Sequence, residues 1–83
     1  MDKQARDFGA EYNQGRWVPD YFGLGFCVMR KGPSNDPRYC QQRILKDGSV
    51  SNGCGDVNRT RKHATLAEAT AAADALNAQQ AAA

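Results

Sequence analysis

The sequence predicts an α+β domain: a twisted antiparallel sheet of three strands with a C-terminal helix packed on one face. Residues 21–30, YFGLGFCVMR, alternate in bulk with the period of two that is typical of a strand. Asp47-Gly48 is a hairpin signal, and ATLAEATAAADALN holds apolar residues at helical spacing behind a capping signal. Short strands followed by one helix indicate the α+β class.

The chain of 83 residues is predicted to be a single small domain spanning 1–83. Its 41% apolar and 24% charged residues are close to ordinary globular usage and indicate neither a disordered nor a fibrous class. We expect an N-terminal arm or short helix in 1–20, the sheet in 21–58, the helix in 65–77 and a frayed tail in 78–83.

The first strand is predicted over residues 21–30, with a bulky core face made by Phe22, Leu24, Phe26 and Val28. The glycines of the other face leave it flat enough for another backbone or a partner to approach. Before this strand, Ala5, Phe8 and Tyr12 stand three and four residues apart, which indicates a short helix.

The second strand is predicted over Tyr39–Leu45, after the turn-forming run of residues 32–37, and its mixed pattern leaves either face open to the core. Asp47-Gly48 predicts a type I′ turn. The third strand begins at Val50, and its glycines indicate a short, irregular or bulged strand.

The helix is predicted from its cap. Thr65 is a good N-cap, and Glu68 completes a capping box. Asn77 is the predicted stop. A narrow apolar stripe should pack on the sheet, formed by Leu66, Ala69, Ala72, Ala73 and Leu76.

Charge is concentrated in residues 21–64, which hold eight Lys or Arg and three Asp, an excess of +5 in a chain of net charge +2. The cationic segment Arg59-Thr60-Arg61-Lys62-His63 precedes the helix N-terminus, where free N–H groups favour an anion. It is interpreted either as a solvated basic loop or as a site for a phosphate or an acidic protein patch. The predicted partner-binding residues are Arg59, Arg61, Lys62, His63, Arg43, Tyr39 and Trp17.

The three cysteines, an odd number, favour reduced thiols. A zinc site on Cys27, Cys40, Cys54 and His63 is disfavoured, because their separations of 13, 14 and 9 include no close Cys pair. No catalytic residue, metal or cofactor is predicted, and the chain is expected not to be an enzyme. The start, MDKQARDFGAEYNQ, is polar, and no apolar run is long enough to span a bilayer, so we expect a cytoplasmic protein with no membrane contact.

Strands followed by a helix that begins ATLAEATAAADALN resemble small accessory proteins of phages, plasmids and other mobile elements, over about residues 21–77. The outline is also similar to the arm-type DNA-binding domains of phage integrases and to double-stranded RNA-binding domains. In the RNA-binding domains a lysine pair opens the helix, and here Leu66 and Ala67 stand in its place.

These resemblances imply a non-enzymatic interaction module that binds and occludes an acidic surface of a host protein or ribonucleoprotein complex. Inhibitors of bacterial defence, anti-CRISPR proteins among them, are similar in size and in lacking catalytic motifs. The alternative is a small nucleic-acid-binding domain that uses a basic sheet and the 59–63 loop.

Overall fold

The structure is a computed structural model that describes residues 6–33, 35–36, 40–52 and 57–82. It confirms the α+β class, with the correction that the antiparallel sheet has four strands in the order β1-β2-β3-β4. The elements are α1 (Phe8–Asn13), β1 (Val18–Phe22), β2 (Gly25–Lys31), β3 (Gln41–Ile44), β4 (Val50–Asn52) and α2 (Leu66–Ala82). Within the described ranges, neither helix is long and apolar enough to cross a membrane.

The additional strand arises because residues 21–30 form a hairpin instead of one strand. Phe22 pairs with Gly25, so Gly23 and Leu24 form a two-residue turn. Their φ angles of 60° and 67° are both left-handed, as a type I′ turn requires. The prediction that Leu24 is a core residue is therefore wrong: the chain reverses there, and the side chain is 92% exposed.

The β3–β4 connection is a hairpin as predicted, but its turn is not type I′. Only Gly48 is left-handed, with φ of 89°, and its N–H donates to Leu45 O at 2.9 Å. Asp47 keeps a negative φ, and its Oδ1 accepts the Ser49 N–H and hydroxyl at 2.9 and 2.6 Å. The hydrogen bonds accepted by the Asp47 side chain favour a turn with one left-handed glycine, followed by a bulge, over a type I′ turn.

Residues 59–63, predicted as a loop, are built into the sheet. The pairing of β2 with β3 ends at Met29 and Arg43, and beyond that point the two strands separate. The segment 59–63 fills the gap: His63 exchanges both backbone hydrogen bonds with Phe26, at 3.1 and 2.7 Å. On the other side, the Arg61 N–H donates to Ile44 O at 3.0 Å, and Thr60 pairs with Leu45. We call residues 59–63 the inserted segment.

Each face of the sheet contains buried residues. On one face α2 packs against β1 and β2 through its alanine stripe, whose small side chains allow a close approach. The core there consists of Trp17, Val28, Ile44, Ala69 and Ala73. The opposite face buries Val18, Cys27, Arg43, Leu45 and Thr60.

The predicted helix start is confirmed and the predicted stop is wrong. Thr65 Oγ1 accepts the Glu68 N–H at 3.1 Å, and Glu68 Oε1 accepts the Ala64 N–H at 3.2 Å. Asn77 does not end the helix, because its amide binds the Trp17 backbone instead: Oδ1 accepts the N–H at 2.8 Å, and Nδ2 donates to the C=O at 2.9 Å. The predicted tail is helical through Ala82.

Candidate interaction surface

The exposed cations of the inserted segment meet a lysine from the β3–β4 turn. An open groove of about 590 Å³, which we call the cationic groove, is lined by Lys46, Asn58, Arg61 and Lys62. Arg59 follows Asn58 in the chain. Arg61 Nη2 donates to Lys46 O at 3.0 Å, and Lys62 Nζ donates to Val57 O at 2.5 Å. Because sheet pairing holds the backbone of the inserted segment, the charged side chains of the groove project from a backbone of fixed position.

Lys46 is the cation of this groove that the sequence-based prediction missed. It lies 15 residues from Arg61, and only the pairing of Leu45 with Thr60 brings the two together. A turn lysine carries no local signal of such a contact, because lysines are common in exposed turns.

A second concavity lies on the side of the sheet that faces α2, beyond Arg61. It has a volume of about 280 Å³ and we call it the apolar cavity. The half-buried His63 lines it together with Arg61, whereas the Lys62 side chain belongs to the opposite side of the inserted segment. Its lining residues are Val28, Ile44, Gly48, Arg61, His63, Ala72, Ala75 and Leu76.

The third feature is the tip of the β1–β2 hairpin. Leu24 projects from the turn, and Tyr21, 62% exposed, packs edge-on against Phe26 with ring centroids 5.2 Å apart. A Cβ at Gly23 would come within 2.6 Å of Val57 Cγ1 and 3.0 Å of a Lys62 carbon. The flat glycine face is thus covered by this chain's own Val57 and Lys62, which places exposed apolar and cationic groups side by side.

Trp17 and Arg43, predicted as partner-binding anchors, are both buried. Trp17 is 2% exposed, and the Arg30 guanidinium lies 4.5 Å above its ring. Arg43 is 4% exposed because it extends across the sheet face to Phe22, 4.0 Å from the ring, and to Asp20.

The Asp20 carboxylate accepts from Arg43 Nη2 at 3.2 Å, and the Gln41 side chain accepts from the same nitrogen at 3.1 Å. Arg43 Nε and Nη1 find no hydrogen-bond partner in the described structure, so the ring contact and the ion pair offset the burial. In this conformation neither Trp17 nor Arg43 reaches a partner. The third predicted anchor, Tyr39, lies outside the described residues.

Two of the three cysteines, Cys27 and Cys40, lie in the described part of the chain. Cys27 is fully buried in the sheet, and burial raises the pKa of its thiol, which disfavours the nucleophilic thiolate. Cys40 is half-buried, and Cys54 lies outside the described residues. Across the described ranges no three His, Cys, Asp or Glu side chains are grouped closely enough to hold a metal ion.

The chain was compared with protein-family models, with curated proteins and with solved structures, and none of the three comparisons finds a match. The fold places a protruding leucine, a cationic groove and an apolar cavity around the inserted segment.

Proposed function

We propose that this protein is a non-enzymatic interaction module that binds an acidic surface of a larger protein complex. The contact surface is the hairpin tip together with the cationic groove. The observation that carries the proposal is Leu24, which is held in a left-handed conformation with 92% of its surface exposed.

A leucine at this turn position is unfavourable for the free protein. The left-handed conformation costs an L-residue about 1–2 kcal/mol, and an exposed side chain recovers none of this through burial. A glycine would fit the turn without this cost. Full burial of a leucine contributes about 1.5–3 kcal/mol, so insertion of Leu24 into a partner would outweigh the cost of the turn.

The neighbouring charges support an acidic partner. Lys62 lies against the glycines that flank Leu24, and Arg61 and Lys46 continue the positive surface along the groove. Protein interfaces characteristically combine apolar anchors at the centre with a polar rim, and opposite charges on the partner speed association and orient it. The proposed mechanism is occlusion of the acidic surface. That the partner is a defence complex of a bacterial host stays a prediction from the resemblance to phage-encoded inhibitors.

The test begins with recovery of partners from a bacterial lysate by the wild-type protein, followed by affinity measurement with each purified partner. Leu24→Ala should weaken binding about tenfold, and Arg61→Gln should weaken it with a reduced salt dependence. The control is Leu66→Ala, which truncates another exposed leucine, on α2, and should leave the affinity unchanged.

Nucleic acid binding is the outcome that would contradict this proposal. A phosphate binder with several contacts loses affinity by orders of magnitude between about 50 and 200 mM salt. If duplex or single-stranded nucleic acid binds with that salt dependence, and Leu24→Ala binds it as well as the wild type, the protein-binding proposal is wrong.

A further inference from the structure

The apolar cavity is a candidate binding site in its own right. We propose that it binds a short amphipathic carboxylate, with the hydrocarbon body in the cavity and the carboxylate at Arg61. The proposal needs no contribution from the hairpin tip and shares only Arg61 with the cationic groove, so it can succeed or fail independently of the proposed function.

The cavity exists because α2 covers only part of the sheet. Among the described strands, α2 packs on β1 and β2 and leaves the same face of β3 beside it. The floor of the resulting gap is formed by Val28 of β2 and Ile44 of β3, and one wall is formed by Ala72 and Leu76 of α2. The alanines keep this wall short, so a volume remains that the described side chains do not fill.

The volume suits a small hydrocarbon group. An engineered apolar cavity of about 150 Å³ in another protein binds benzene. The 280 Å³ found here is larger than that and accommodates a medium-length alkyl chain or a substituted aromatic ring. Apolar walls with a few placed polar groups are the usual composition of small-molecule sites.

The polar groups at the cavity specify the charge of the ligand. The described lining residues include Arg61 and His63, and none of them is a carboxylate. The Arg61 guanidinium has several N–H donors, and the hydrogen bond from Nη2 to Lys46 O anchors the group without neutralising its charge. His63 is positioned by two backbone hydrogen bonds to Phe26, lines the same cavity and carries an imidazole N–H donor. An anionic head group is therefore matched, and a cationic one is repelled.

Titration of the ¹⁵N-labelled protein with octanoate, followed by NMR, tests the proposal directly. Octanoate should cause saturable shifts centred on the cavity-lining residues. Octan-1-ol, which has the same chain without the charge, should bind about tenfold more weakly or worse, and octylammonium should bind least. The absence of saturable shifts with millimolar octanoate would overturn the proposal, and so would equal affinity for all three probes.

Matched variants locate the site. Ala75→Phe fills the cavity from an exposed helix position and should abolish octanoate binding, whereas Ala67→Phe places the same ring on α2 away from the cavity and should leave it intact. Arg61→Gln should weaken octanoate binding about tenfold, and Arg59→Gln, the same charge change two residues away, should not. If both phenylalanine variants weaken octanoate equally, the ligand is not in the cavity. Leu24→Ala separates the two proposals, because it should reduce partner binding without affecting octanoate.

Discussion

Replacing Leu24 by glycine should stabilise this protein, although the substitution removes a large apolar side chain. Leu24 is the one non-glycine residue with a positive φ in the described ranges, and it occupies the second position of a two-residue hairpin turn. Glycine is the residue that this position of a type I′ turn prefers. Because the leucine side chain is 92% exposed, its removal sacrifices almost no buried area.

The magnitude follows from two opposing effects on the backbone. Relief of the left-handed conformation favours the variant by about 1–2 kcal/mol. The greater freedom of glycine in the unfolded chain costs about 0.5–1 kcal/mol. The midpoints of these two ranges differ by about 0.75 kcal/mol, so the free energy of unfolding should increase by about that amount, which for a domain of this size raises Tm by about 3–6 °C.

Urea denaturation and calorimetry of the wild type and Leu24→Gly measure this difference. Gly15→Ala is the reverse control: Gly15 has a φ of 81°, and a Cβ there would meet no atom within 4 Å, so only the backbone cost is added. This control should lose about as much stability as Leu24→Gly gains. If Leu24→Gly is less stable than the wild type, the leucine makes a contact that holds the fold, and its assignment as a strained, partner-facing residue is wrong.

Three further predictions concern the helix α2 and its contacts. Asn77→Ala leaves the Trp17 N–H and C=O without their partners, and should lower the free energy of unfolding by about 2–3 kcal/mol in urea denaturation. Thr65→Ala removes the helix cap and should cost about 1 kcal/mol in the same assay. Arg6 hydrogen-bonds Asp74 at 2.6 Å and holds the pKa of that carboxyl below its usual value. The bond stabilises the fold above the usual aspartate pKa and loses its effect as pH falls through the lowered one, so Asp74→Asn should lose less stability than the wild type between about pH 5 and pH 1.

Each of these has a control or an outcome that contradicts it. Gln79→Ala removes an exposed amide from the same helix and should be nearly neutral; if it matches Asn77→Ala, the backbone contact is not the cause. Thr65→Ser keeps a capping hydroxyl and should recover most of the loss. The Asp74→Asn difference involves exposed side chains, so it should shrink in about 1 M salt; a difference that is unaffected by salt points to another cause.

Features encoded within a few residues were predicted correctly from the sequence. The cap at Thr65 and Glu68, the hairpin around Gly48 and the α+β class all depend on local backbone preferences. The positive charge of residues 59–62 was also evident from the sequence, and the structure places Arg61 and Lys62 along one groove.

Contacts between residues that are distant in the sequence could not be predicted from local patterns. Residues 21–30 fit a strand by alternation alone, and the reversal at Leu24 is hidden because leucine is a rare residue for such a turn. Asn77 is a common helix stop, and its pairing with Trp17 spans 60 residues. Arg43 was predicted as a partner-binding residue, and its burial depends on Asp20 and Phe22 from a strand that is not its neighbour in the sheet.

By itself the sequence determined the class of the fold, the helix cap and the sign of the charge before the helix, because each follows from neighbouring residues. Only the tertiary structure decided that the cationic segment is part of the sheet. The separation of β2 from β3 after Met29 and Arg43 leaves backbone groups that must be paired, and residues 59–63 pair with them. That pairing brings Lys46 to Arg61 and places Arg61 and His63 among the residues that line the apolar cavity.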